Sequence, residues 1–192
     1  MWKLLIPQIA FNDLGVMVKY MLIGALIAGG YGILHDQITY SIGPEYFHNF
    51  KFDQFAYADF GLGNHIFVGI IGFLATWWVG AIVGWILARR MIPACPRDIA
   101  HRKIMRGYVI VFTTAIAFGI CGYLYGLYRG PAADYSYWHA TFRAYRVVDT
   151  YHFICVGYIH NAGYLGGLLG IVLTYFLVKP CSIKTENESV SV

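Results

Sequence analysis

Three stretches of this chain, at about 62–88, 107–128 and 151–178, contain no Asp, Glu, Lys or Arg, and a fourth, at about 14–34, contains only Lys19. A soluble helix of that length would turn a charged face toward water. A bilayer core about 30 Å thick takes roughly 20 apolar residues per spanning helix, so all four stretches read as transmembrane. Composition agrees, with 58% hydrophobic and 12% charged residues in a chain of 192, against roughly a quarter charged in soluble domains. The sequence therefore predicts an all-α, polytopic membrane protein: a single domain over 1–192, four transmembrane helices in one bundle, and two interfacial amphipathic segments on the outer face.

Orientation follows from the basic residues. The loop at 89–106 carries Arg89, Arg90, Arg97, Arg102, Lys103 and Arg106 against Asp98 alone. Lys and Arg in short loops are retained on the cytoplasmic side. That places this loop inside, together with both termini, where Lys3, Lys19, Lys179 and Lys184 lie. The outer loops are then 35–61 and 129–150, and the expected location is the cell membrane. The net charge of +4 reports topology and not nucleic-acid binding. The expected partners are the lipid bilayer, other membrane subunits or further copies of the chain. Lys3 precedes a short apolar run, but Pro7, Gln8, Asn12 and Asp13 interrupt it, and the apolar segment that follows is too long for a signal peptide. Residues 1–13 read as an interfacial stub anchored by Trp2.

Cys95 and Cys181 fall in cytoplasmic segments, Cys121 and Cys155 fall inside spans, and no C-x-x-C pair occurs. This pattern implies no disulfide framework and no zinc ribbon. Glycines four apart (Gly163 and Gly167, Gly166 and Gly170, Gly122 and Gly126, Gly80 and Gly84) and the series Gly24, Ala28, Gly32 predict close helix packing within the bundle. Small residues let backbones approach where lipid supplies no hydrophobic drive between helices.

Both outer loops are rich in aromatic residues, as expected at a membrane interface. Pro44 suits a first helical position and predicts a short helix from about Glu45 to Tyr57. In the second loop Trp138, Phe142 and Tyr145 share one helical face, while His139, Arg143 and Arg146 share another. Arg143 and Arg146 are candidate ligands for a lipid phosphate through charge-assisted hydrogen bonds.

The histidines are distributed unevenly: six of the seven fall on the outer half of this topology, with His101 alone inside. His35 ends the first span, His65 begins the second and His152 begins the fourth, which puts three imidazoles at one depth. His160 lies about 12 Å deeper at 1.5 Å per residue, where a polar side chain must face the interior or find a partner, as must Asn161. Imidazole suits zinc, copper and iron, so His35, His65, His152 and His160 are the candidate metal ligands. Haem would need two imidazoles on facing helices, and His65 and His152 are the candidate pair. Asp149 stands three before His152 and Glu45 three before His48, a carboxylate–imidazole spacing that shares one helical face.

No H-E-x-x-H, G-x-S-x-G or Walker loop occurs, which excludes a zincin, an α/β-hydrolase or a nucleotide motor on motif grounds. No acidic residue is expected at mid-membrane, so a proton-coupled carrier lacks its usual relay. The expectation is an outward-facing, histidine-rich intramembrane site that binds a transition metal or haem for redox or metal-assisted chemistry. The alternatives are a noncatalytic accessory subunit of a larger membrane complex, and a protein that binds lipid headgroups.

Overall fold

The computed structural model describes residues 9–181, and within them the chain is all-α. Four long helices carry it: α1 (Phe11–Ile42), α2 (Asn64–Met91), α3 (Arg97–Arg129) and α4 (Thr150–Leu177). Each is long and apolar enough to cross a membrane. The stub anchored by Trp2, apart from its last residues, and Lys184 lie outside the described residues.

Two boundaries differ from the sequence expectation for the same physical reason. Loss of apolar character at His35 reads as the end of a span, yet α1 continues to Ile42. Its polar residues there turn inward: Asp36 and Thr39 are buried, and the Thr39 hydroxyl donates to the His35 carbonyl one turn back at 3.1 Å. The expected loop at 89–106 is mostly helix. α2 runs through Arg89 and Arg90 to Met91, a short turn follows, and α3 starts at Arg97 after Pro96. The basic cluster therefore decorates helix ends, where long side chains reach past the apolar zone.

The reading of the cysteines needs correction. Cys95, in the α2–α3 turn, and Cys181, just past α4, form a disulfide with their Cα atoms 5.2 Å apart. The 86 residues between them hide the pairing, because only the folded bundle brings the end of α4 to that turn. Cys121 and Cys155 are free.

Glycine sets the arrangement of the helices. A Cβ at Gly24 would lie 2.2 Å from the Gly80 carbonyl oxygen, and one at Gly32 would lie 2.0 Å from that of Gly72. Thr76 fastens the same contact by donating to the Ala28 carbonyl at 2.8 Å. Between α3 and α4, a Cβ at Gly122 would meet the Tyr158 carbonyl at 2.4 Å and one at Gly166 the Thr114 carbonyl at 2.7 Å. The fold is thus two tightly joined pairs, α1 with α2 and α3 with α4. The pairs meet at the arginine-rich end through Met17, Tyr20, Leu87, Ile104 and Tyr108, where the Tyr108 hydroxyl donates to the Tyr20 carbonyl at 2.6 Å.

Replacing Gly80 with Leu should separate α1 from α2, lowering the thermal midpoint in detergent by ten degrees or more or abolishing a monodisperse peak; overpacking of a tight site costs about 1–3 kcal/mol and rises when backbone must move. Gly30→Leu, at a glycine with open space around it, should leave the midpoint within about two degrees, since surface changes away from special features stay within about 0.5 kcal/mol. Equal midpoints for the two variants would refute the glycine contact.

Candidate functional site

The seam between the two helix pairs widens into a cavity of about 480 Å³. Its wall is mostly apolar, with Ala28, Val83, Val111, Phe112 and Ile171 among the lining residues, and most of its polar groups gather toward the end away from the arginine-rich turn: Tyr31, His35, Asp36, Lys51, His160 and Tyr164. Trp78, Val79 and Leu168 also line it, and they are 50%, 37% and 60% exposed. The cavity therefore opens sideways toward the surface that lipid would cover.

α1 supplies His35 and Asp36, and α4 supplies His160. His35 Nδ1 donates to Asp36 Oδ1 at 3.0 Å, and His160 Nε2 lies 4.0 Å from the same oxygen. The His35 and His160 rings meet edge to face at 4.7 Å. The three residues each offer a ligand atom within 4.8 Å of the other two. His160 is buried, and its Nε2 is the buried side-chain polar atom without a hydrogen-bond partner among the described residues. Its other nitrogen faces the Tyr164 hydroxyl at 3.4 Å.

The segment between α1 and α2 closes this end. Pro44 begins it as expected, and the chain stays helical through Gln54, with a π-helical turn over Phe47–Lys51. Such turns often mark functional sites because the extra residue re-aims side chains. Here Tyr46 stacks on the His160 ring at 5.2 Å, Phe47 is fully buried against Val68 and Val156, and Lys51 turns inward to 8% exposure. The Lys51 ammonium lies 5.4 Å from the Phe50 ring and 5.7 Å from that of Phe55. Burial pushes its pKa down from the ordinary lysine value, and the Asp36 carboxylate draws it back up. In the ion pairs of the site, His35–Asp36 and His160–Asp36, Lys51 takes no part.

Of the four histidines proposed as ligands, the structure brings His35 and His160 together and places His65 and His152 elsewhere. His35 sits at the depth of His160, not at that of His152, because α1 runs on and its side chain points inward. His65 is exposed at the start of α2, where its Nδ1 donates to the Gln37 Oε1 at 2.9 Å. His152 Nδ1 donates to Asp149 Oδ2 at 2.7 Å, and Asp149 Oδ1 accepts the His152 backbone N–H, capping α4. Both rings are thus engaged by different neighbours, outside the three-residue cluster. Asn161, next to His160, is exposed.

The Glu45–His48 spacing also has another use. Glu45 Oε2 accepts the backbone N–H groups of Val148 and Asp149 at 2.9 and 2.7 Å, which ties the two outer segments together, while His48 is hydrogen-bonded to the Tyr40 hydroxyl at 3.0 Å. Arg143 and Arg146 are exposed. They do not share a helical face, because the second outer helix ends at Ala144 and Arg146 takes a positive φ of 51°.

The sequence offers Asp36 only as an acidic neighbour of His35 within the expected loop at 35–61 and not as a ligand, although its buried neighbours recur at helical spacing in Gly29, Gly32 and Thr39; Lys51 is absent from the sequence expectation. Lys51 carries no signal in the sequence beyond being a lone cation among aromatic residues. Comparison with protein families, curated proteins and solved structures gives no match.

Glu45→Ala should release both N–H groups at the start of α4. Amide exchange at Val148 and Asp149 should rise by roughly threefold, since both bonds are exposed and a typical hydrogen bond contributes about 0.5–1.5 kcal/mol net. Unchanged exchange there would mean that the two outer segments are held together by their apolar contacts alone.

Proposed function

We propose that this chain binds a divalent transition metal ion on His35, Asp36 and His160 and presents it to a lipid-soluble substrate in the intramembrane cavity. The orphaned Nε2 of His160 carries the reading. A polar group without a partner in an apolar interior costs about 1–3 kcal/mol, and a metal ion would supply the partner that the protein does not. Donor atoms around one metal at about 2.0–2.2 Å lie no more than about 4.3 Å apart. The separations of 3.0 and 4.0 Å to Asp36 Oδ1 already fall within that limit.

Two imidazoles and one carboxylate suit zinc or iron(II), and leave coordination positions open. The carboxylate distinguishes this set from a haem site, which takes axial imidazoles. A metal held there would polarise an oxygen-bearing group of the substrate or support redox chemistry. The chain's own residues would bind and orient it: His35 Nδ1 would give up its proton to ligate beside Asp36, and Tyr46 fixes the plane of His160 by stacking.

Purified protein loaded with cobalt(II) as a spectroscopic stand-in, and then analysed for total metal, tests the site. His160→Ala and Asp36→Asn should each lower occupancy at least tenfold, and the double variant should lose little more, because ligands of one site act as a unit. His65→Ala and His152→Ala should keep full occupancy. A wild-type protein that is monodisperse and takes up no metal would end this reading, leaving the cluster as a polar contact between helices in an accessory subunit.

A further inference from the structure

Lys51 is the charged group of the cavity that the metal reading does not use. It reaches the site from outside the four spans, on a π-helical turn that is itself folded into the bundle end. A buried ammonium needs a compensating anion, and Asp36, the carboxylate lining the cavity, is already shared by His35 and His160. With a divalent ion on the cluster, three positive charges face one negative in a low-dielectric pocket. That balance calls for an anionic occupant, and this step takes the metal reading as given.

The remainder of the cavity asks for the opposite chemistry. Beyond the polar end its lining is aliphatic and aromatic, and on α4 it extends from His160 to Ile171, about 16 Å at 1.5 Å per residue. That length is the scale of one fatty chain lying along the seam, and the cavity of about 480 Å³ has room for it. The exposed Trp78, Val79 and Leu168 at the rim let such a chain enter from the membrane.

We propose that the cavity binds a single-chain acidic amphiphile, with its anionic head between Lys51 and the His35–Asp36–His160 cluster and its chain along the seam between the helix pairs. The head is chosen by charge and the tail by the shape and apolarity of the wall. Gly167 forms part of that wall, and a Cβ placed there meets nothing within 4 Å, so a large side chain at this position would occupy the chain's path without disturbing a helix contact.

The full-length protein in bilayer nanodiscs, with bound metal assayed on every sample, is titrated with palmitate and with palmityl alcohol. Palmitate should bind at least tenfold more tightly than the alcohol. Lys51→Met should remove that preference while leaving metal content unchanged, and Lys51→Arg should restore much of it. Gly167→Phe should weaken both ligands. Metal-loaded wild type that binds neither compound, or binds both alike with no effect of Lys51→Met, would overturn the amphiphile site and leave the metal reading standing. Palmitate binding that depends on Lys51 in protein that takes up no metal would support the site and count against the metal reading. Unaltered palmitate binding in folded Gly167→Phe would place the chain elsewhere and overturn the proposal.

Discussion

Everything in this bundle depends on how closely two helix backbones can approach. Side chains at the contact keep the axes about 8–10 Å apart in ordinary packing, and a closer approach requires a position with no side chain on at least one helix. α1 and α2 meet that requirement at Gly24 with Gly80 and at Gly32 with Gly72, where each Cβ would fall within 2.2 Å of a carbonyl oxygen. α3 and α4 meet it on one side at a time, with a glycine of one helix against the backbone of the other. Because the closest contacts lie within the pairs, the volume left over collects between them. The cavity is therefore a consequence of where the contact glycines are, Gly80 in its wall among them.

A cavity of that origin in an apolar bundle would ordinarily stay dry and featureless. Here three helical segments each contribute a group that is costly to bury: Asp36 from α1, His160 from α4 and Lys51 from the outer plug. An isolated charge in a medium of low dielectric is strongly unfavourable, so the three are tolerable only as neighbours. Stability alone does not require this arrangement, since replacing a buried polar set by apolar residues of similar volume is often neutral or better. The cluster also remains incompletely satisfied, with a bare nitrogen on His160. A polar set retained for packing would be expected to satisfy its members, which this one does not do within the protein.

The parts of this architecture that were legible in the sequence are those governed by a single-helix rule. Span number follows from apolar length, close helix packing from glycine spacing, and the start of the plug between α1 and α2 from Pro44. The site was half legible. His160 stood out because an imidazole within an apolar run has to face something, but His35 was assigned to the wrong depth and Asp36 to a loop. The reason is that polarity ends a span in a hydropathy argument, whereas in the folded bundle a polar residue on the inner face continues the helix. Asp149 and Glu45 show the converse. Their spacing to histidine resembled a ligand pattern, and the structure uses one carboxylate as a helix cap and the other as a tie between segments. Juxtapositions across long sequence separation, the Cys95–Cys181 bond and the shared cavity wall of Lys51 and Asp36, depend on the tertiary arrangement and leave no local trace.

The two ends of the cavity are closed by different means, and the difference bears on access. At the polar end the plug is held by aromatic burial at Phe47 and Tyr46 and by Glu45 reaching across to the segment before α4, so several interactions would have to break together for it to lift. At the other end the pairs converge on Met17, Leu87 and Tyr108, and the Cys95–Cys181 link fastens the end of α4 to the α2–α3 turn. Between these closures the seam is bounded on one side by Gly163 and Gly167, which add no bulk, and by the half-exposed Trp78. The path of least obstruction to the polar cluster therefore runs through the side of the bundle. A molecule arriving that way has already partitioned into the bilayer, which selects for an apolar chain before any contact with His35, Asp36 or His160 is made.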